Sequence, residues 1–182
     1  MKKASFALIG GAALGVSAGA LAATVTLTLG PLPTPSMDGF GSSLNAVYTF
    51  NIGAGSHVVG YEYELDLITY GASWASEARF TFTDDPITAG VHSSPGFATG
   101  SPLTTTTHYS SGGYNDLVTA GLDFNVGANG ILRVEFNESY DDAVGVADAD
   151  WLGGFITFHY DVPAPGALAL LGLAGLARRR RR

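Results

Sequence analysis

Apolar and polar residues alternate one by one through most of the middle of this chain. Successive side chains of an extended strand point to opposite faces, so such alternation marks a strand buried on one side. Residues 24–29 set Val25, Leu27 and Leu29 on one face. The prolines at 31, 33 and 35 then predict a break, because proline donates nothing to a ladder. Alternation returns over 46–52, with Tyr48, Phe50 and Ile52 inward. It is longest over 59–67, where Val59, Tyr61, Tyr63, Leu65 and Leu67 oppose Glu62, Glu64 and Asp66. Further strands are expected at 79–83 (Phe80 and Phe82 inward), 103–109, 116–126 (Leu122, Phe124, Val126), 131–136 (Leu132, Val134, Phe136) and 155–160 (Ile156, Phe158, Tyr160). The rest of 87–113 is rich in Gly, Ser, Thr and Pro and reads as loop.

About eight short strands, turns at regular spacing and no helical periodicity predict an all-β domain. One-sided burial calls for antiparallel pairing. The expected architecture is a two-sheet β-sandwich, jelly-roll-like, formed by residues 23–161 as a single domain. The order of strands within the sheets is not legible in the pattern.

The two ends break the alternation. Met1-Lys2-Lys3 precedes a run of apolar and small residues over 6–21, and Ala20-Leu21-Ala22 satisfies a small-x-small cleavage rule. Residues 1–22 therefore read as a secretory signal peptide cut after Ala22. At the other end Val162-Pro163-Ala164-Pro165 leads into residues 166–177, which carry no polar side chain, and then into Arg178, Arg179, Arg180, Arg181 and Arg182. The backbone of such a run is satisfied in lipid by coiling into a short helix, and the arginines would hold its end on the cytoplasmic side. Twelve residues make roughly 18 Å of helix, whereas a span usually needs about 20 residues. Residues 162–165 and snorkelling of the first arginines narrow the difference.

This order of parts, Pro-x-Pro, apolar helix and arginine cluster, resembles the PEP-CTERM sorting signal of surface proteins in Gram-negative, exopolysaccharide-producing bacteria. Ala164 stands where that family usually has glutamate. The resemblance covers 162–182 and implies a transient inner-membrane tether and cleavage near Pro163-Ala164-Pro165 by an exosortase; the signal peptide at the other end implies export by the Sec translocase. The implied destination is the cell surface or extracellular matrix.

With both ends set aside, the charge balance changes. Of the 9 basic residues only Arg79 and Arg133 remain in 23–161, against all 16 carboxylates, for a net charge of −14. Such a body is repelled by nucleic acid and by anionic lipid. No cysteine is present, so no disulfide staples the fold.

Candidate chemistry is sparse. His57, His92, His108 and His159 do not fall at zinc-motif spacing, and no Gly-x-Ser-x-Gly elbow or phosphate loop occurs. No cofactor and no enzymatic activity are expected. Calcium is the one metal these residues suit: Asp141, Asp142, Asp148 and Asp150 lie within ten residues, beside Asn137 and Glu138, and Asp84-Asp85 could add oxygens. Trp74 and Trp151 are the aromatic platforms on which an extracellular polysaccharide could stack. The sequence thus points to an exported structural or adhesive sandwich. A carbohydrate-binding module, calcium-assisted or not, is the first alternative, and a secreted hydrolase the second.

Overall fold

A computed structural model describes residues 20–142 and 145–164. The N-terminal run up to residue 19, the predicted apolar helix and Arg178 to Arg182 lie outside the described residues. Among the described residues no helix is long and apolar enough to cross a membrane. The strands are β1 (Leu21–Leu29), β2 (Thr34–Ser36), β3 (Ala46–Asn51), β4 (His57–Thr69), β5 (Ala78–Asp84), β6 (Gly90–Ser93), β7 (Thr107–Ser110), β8 (Asn115–Asp116), β9 (Phe124–Asn125), β10 (Ile131–Glu138) and β11 (Ala149–Val162). One helical turn, α1 (Leu117–Ala120), joins β8 to β9.

Two antiparallel sheets face each other. One runs β1-β11-β4-β7, with β2 also on β11 and with β8 and β9 also on β4; the other runs β3-β10-β5-β6. When β7, β8 and β9 are taken as one interrupted edge strand, this is the strand order of a jelly roll. The expected sandwich is therefore the observed one. Phe80, Phe82, Phe136, Trp151 and Phe158 are all fully buried between the sheets. Their rings meet at centroid distances such as 5.0 Å (Phe82–Phe158) and 5.4 Å (Phe136–Trp151). Burying each such side chain is worth about 1.5–3 kcal/mol.

Four departures from the pattern have local causes. The ladder does break at the prolines, but it resumes at β2, where Pro35 sits on an edge opposite Asp150 and needs no donor. The core position at the start of β4 belongs to Val58 and not Val59, because His159 pairs with Gly60 while Tyr160 pairs with Val58, leaving Val59 as the extra residue of a bulge. The strand expected over 116–126 is interrupted by α1. Asp116 caps that turn by accepting from the Thr119 amide at 3.0 Å, and Gly121, at φ 69°, closes it in the left-handed region. Leu122 consequently ends up 51% exposed, while Phe124 and Val126 are buried as expected. Finally, β6 runs through a stretch read as loop, with Val91 buried.

The outer face of the second sheet is covered as well. Residues 37–45 cross it, and Glu135, fully buried, accepts from the Gly41 amide and from Asn45 Nδ2, each at 2.7 Å. Its other oxygen pairs with Arg133 Nη2, and the Arg133 guanidinium lies 5.6 Å from the Phe40 ring centroid. Removing one member of a buried pair strands the other charge, at a cost of about 3–5 kcal/mol. Glu135→Ala is therefore expected to lower the unfolding free energy by about that much in urea titration. The double replacement Arg133→Met/Glu135→Leu should cost clearly less; equal losses would contradict this role for the pair.

Candidate functional site

The predicted site residues do not gather in one place. Trp151 is wholly enclosed in the core, its Nε1 donating to Ser36 Oγ at 3.0 Å, so no ligand reaches its ring. The platform expectation fails there because Trp151 lies on the inward face of β11, next to Phe80 and Phe136. Trp74 is 47% exposed on the loop between β4 and β5, with Glu77 accepting from its backbone amide at 2.7 Å.

The four aspartates divide. Asp150 points outward and accepts from Tyr70 Oη at 2.8 Å. Asp148 is buried and accepts from the Asp142 amide at 2.8 Å. Asp142 itself is exposed and Asp141 half-buried. Asp84 is occupied as the closure of its own turn, accepting from the amides of Thr88 and Ala89 and from the Thr88 hydroxyl. Asp85 is held by Asn129. Among the described residues no three acidic or histidine side chains stand together in a metal-binding arrangement.

What the fold does bring together is Asp148 and Glu138, the last residue of β10. Glu138 is 3% exposed, and neither of its carboxylate oxygens makes a well-formed hydrogen bond. The Ser36 hydroxyl is the neighbour that favours its charge. Burial, and then the charge of Asp148, push its pKa up to about 8, with Glu77 and Asp142 adding to the effect. Little in the sequence signals this, because the position reads as the first residue of an acidic loop.

A second group lies on the open face of the first sheet. His108 on β7 bonds through Nδ1 to Asp66 at 2.8 Å and through Nε2 to Glu64 at 2.7 Å, and Ser110 Oγ donates to Glu64 at 2.6 Å. Asp66 and then Glu64 raise the pKa of His108, while Ser110 and His108 lower that of Glu64. The outward set read from the alternation thus acquires a histidine from a stretch whose strand position was only roughly expected. The serine bonds to the carboxylate and not to the imidazole, which is not the arrangement of an activated nucleophile.

A third feature is a recess of about 460 Å³ at the open edge between the sheets, where Tyr61 and Tyr63 of β4 face Arg79 of β5 and His92 of β6. The tyrosine rings lie side by side, 6.3 Å apart and 19° from parallel, backed by Phe80 and Phe82. Alternation assigned both tyrosines to the core side; it could not show that the sandwich opens there.

No protein-family model matches the chain, and no curated protein matches it. Among solved structures, dimeric latent PorU from Porphyromonas gingivalis is similar over 84% of this chain and 14% of its own length, with 11% identity and a TM-score of 0.40. The VP2 subviral particle of infectious bursal disease virus is similar over 81% of this chain and 35% of its own, with 15% identity and a TM-score of 0.37. The chain therefore spans a small part of each, and nothing about activity follows from likeness this remote.

The Glu138 carboxyl holds a proton in the folded state that it releases near its ordinary value of 4.5 when unfolded. Its contribution to stability is thus complete below about pH 4.5 and is lost as pH rises toward about 8. Unfolding free energy of the native protein relative to Glu138→Gln is expected to fall across that window. A difference that does not change with pH would contradict the shift. Millimolar calcium bridging Glu138 and Asp148 would displace the proton and reverse the trend at neutral pH, whereas an unchanged profile would remove calcium from the account.

Proposed function

We propose that this chain is an exported, non-enzymatic β-sandwich of the cell surface or extracellular matrix, with a structural or adhesive role. In this reading a signal peptide directs it outward and an exosortase processes its C-terminal tag. The observation that carries it is the sequence 162–182, with its Pro-x-Pro, bare apolar run and five arginines.

The geometry of the body is compatible with trimming at both ends. β1 and β11 pair antiparallel, and Leu21 opposite Val162 is their last rung. Pro163 follows directly and is exposed, so a cut near it leaves every strand intact. At the other terminus Ala20 and Ala22 are exposed and Leu21 is 65% exposed. A cut after Ala22 removes two rungs at a strand end and leaves β1 paired from Ala23 to Leu29.

A second reading, binding of extracellular polysaccharide, is favoured by the exposed Trp74 ring and by the recess at Tyr61 and Tyr63. The hydrolase reading has no comparable support, since Ser110 is directed to Glu64 rather than to His108.

Deleting residues 162–182 is expected to abolish retention at the surface and release the folded body from the cell envelope. Inactivating the exosortase in the native host should instead leave the uncut precursor in the inner membrane. Unaltered processing and location in both strains would overturn the sorting assignment.

A further inference from the structure

Arg79 belongs neither to the buried pair on the second sheet nor to the histidine–carboxylate group on the first. The body holds two arginines against 16 carboxylates, and Arg133 is committed to Glu135. Arg79 makes no salt bridge among the described residues. Its Nε donates to Ser94 Oγ at 3.2 Å, which fixes the plane of the guanidinium and leaves its two terminal nitrogens for another acceptor. In a protein this acidic, an arginine with no carboxylate partner is unusual, because any flexible aspartate nearby would gain by pairing with it.

The surroundings of Arg79 are those of a binding recess. Tyr61 and Tyr63 supply two nearly parallel rings, held from behind by Phe80 and Phe82. Tyr61 Oη donates to Ser93 Oγ at 3.3 Å, so hydroxyl groups line the same wall. His92 is bonded through Nδ1 to Thr81 at 2.7 Å. Burial, followed by the nearby Arg79 charge, lowers its pKa, so that at neutral pH it adds a polar group without adding charge. Phe97 stands at the rim, 82% exposed on the connection from β6 to β7. Its backbone amide closes a turn onto the Ser94 carbonyl at 3.0 Å, which places the ring and the Arg79-binding serine on one short turn.

The recess exists because of how the edges of the sandwich end. β8 pairs with Gly60 and Tyr61, and β7 begins pairing at Glu64. Between them Tyr63 is bridged by Ser111 alone, which donates from its amide to the Tyr63 carbonyl and accepts the Tyr63 amide on its hydroxyl, both at 3.0 Å. The edge strand opposite, β6, is only four residues long. The two aromatic side chains on the inner face of β4 are therefore left half-exposed instead of being covered.

We infer that this recess is a binding site for a carboxylate-bearing sugar, with the Arg79 guanidinium on the carboxylate and the faces of Tyr61, Tyr63 and Phe97 against the ring. Guanidinium and carboxylate match as a planar two-point pair, which a neutral sugar lacks. Aromatic faces suit the apolar C–H face of a pyranose, and the adjacent serines suit its hydroxyls. A volume of about 460 Å³ takes one or two rings and not a long stretch of chain. The −14 body repels dense polyanions at long range, but at physiological salt that repulsion is screened beyond about 8 Å while the contact pair persists. Short acidic oligosaccharides are therefore favoured over nucleic acid. The surface reading of the protein supplies only the setting in which such a sugar would be met; the recess itself does not depend on it.

The test is calorimetric titration of the full chain in detergent with trigalacturonate, with maltotriose as the neutral control and galacturonate as the single ring. Trigalacturonate is expected to bind and maltotriose to give no heat over the same range. Arg79→Gln should weaken binding about tenfold or more, as expected for loss of a charge-assisted pair. Phe97→Ala, at a site too exposed to threaten folding, should weaken it several-fold. Galacturonate binding as tightly as the trisaccharide would place the whole site on one ring, and weaker binding would extend it to neighbouring rings of a polysaccharide; both support the assignment. No heat from trigalacturonate, equal binding of maltotriose, or undiminished binding by a folded Arg79→Gln protein would overturn it. Because this assay uses no cell fractionation, its failure would leave the sorting assignment untouched, and failure of sorting would leave the recess untouched.

Discussion

β11 is hydrogen-bonded along both flanks, to β1 and β2 on one side and to β4 on the other, and the fold depends on that double pairing. It links the last strand of the body to the first and to the longest of the early ones. The jelly-roll order follows from it, because placing β11 between β1 and β4 sends β3 and β10 to the opposite sheet. Close approach makes the pairing possible. At Gly154, opposite both Leu29 and Leu65, a Cβ would stand 1.9 Å from the Glu64 carbonyl oxygen, and φ is +103°. Only glycine fits there. The aromatic core then closes over Trp151, Ile156 and Phe158 of the same strand.

Because β11 ends at Val162, the C-terminal segment attaches to the most tightly held strand of the body. Leu21 pairs with Val162, so the N-terminal segment attaches beside it. The recess at Arg79 lies on the edge formed by β6, β7 and β8, which is built from other strands than the β1–β11 pair.

Strand positions were legible wherever one face was apolar and the other polar, as in β1, β3, β5 and β10. They were illegible where that rule loses its meaning. β6 is too short to show alternation, and Pro35 concealed an edge strand that needs no donor. The turn α1 was hidden in an apparent strand, although Asp116 and Gly121 at its two ends carry the signals of a capped helical turn. Candidate sites were less legible than the fold. Trp151 reads as a platform in the sequence because tryptophan suits both core and surface, and only the register of β11 decides between them. Glu138 and Asp148 belong to an acidic stretch in the sequence, but their burial depends on the loop of residues 37–45 and on β2, which are remote along the chain. That Arg79 has no carboxylate partner among the described residues is likewise a property of the assembled edges and not of any local motif.

The central claim is that a self-contained jelly roll is exported and freed of both terminal segments. Intact mass of the protein recovered from the native cell surface, beside that of the purified precursor, tests it most directly. The account predicts a chain beginning near Ala23 and ending near Val162 to Pro165, with added mass at the new end if the product is attached. A surface chain that still carries Arg178 to Arg182 would contradict it.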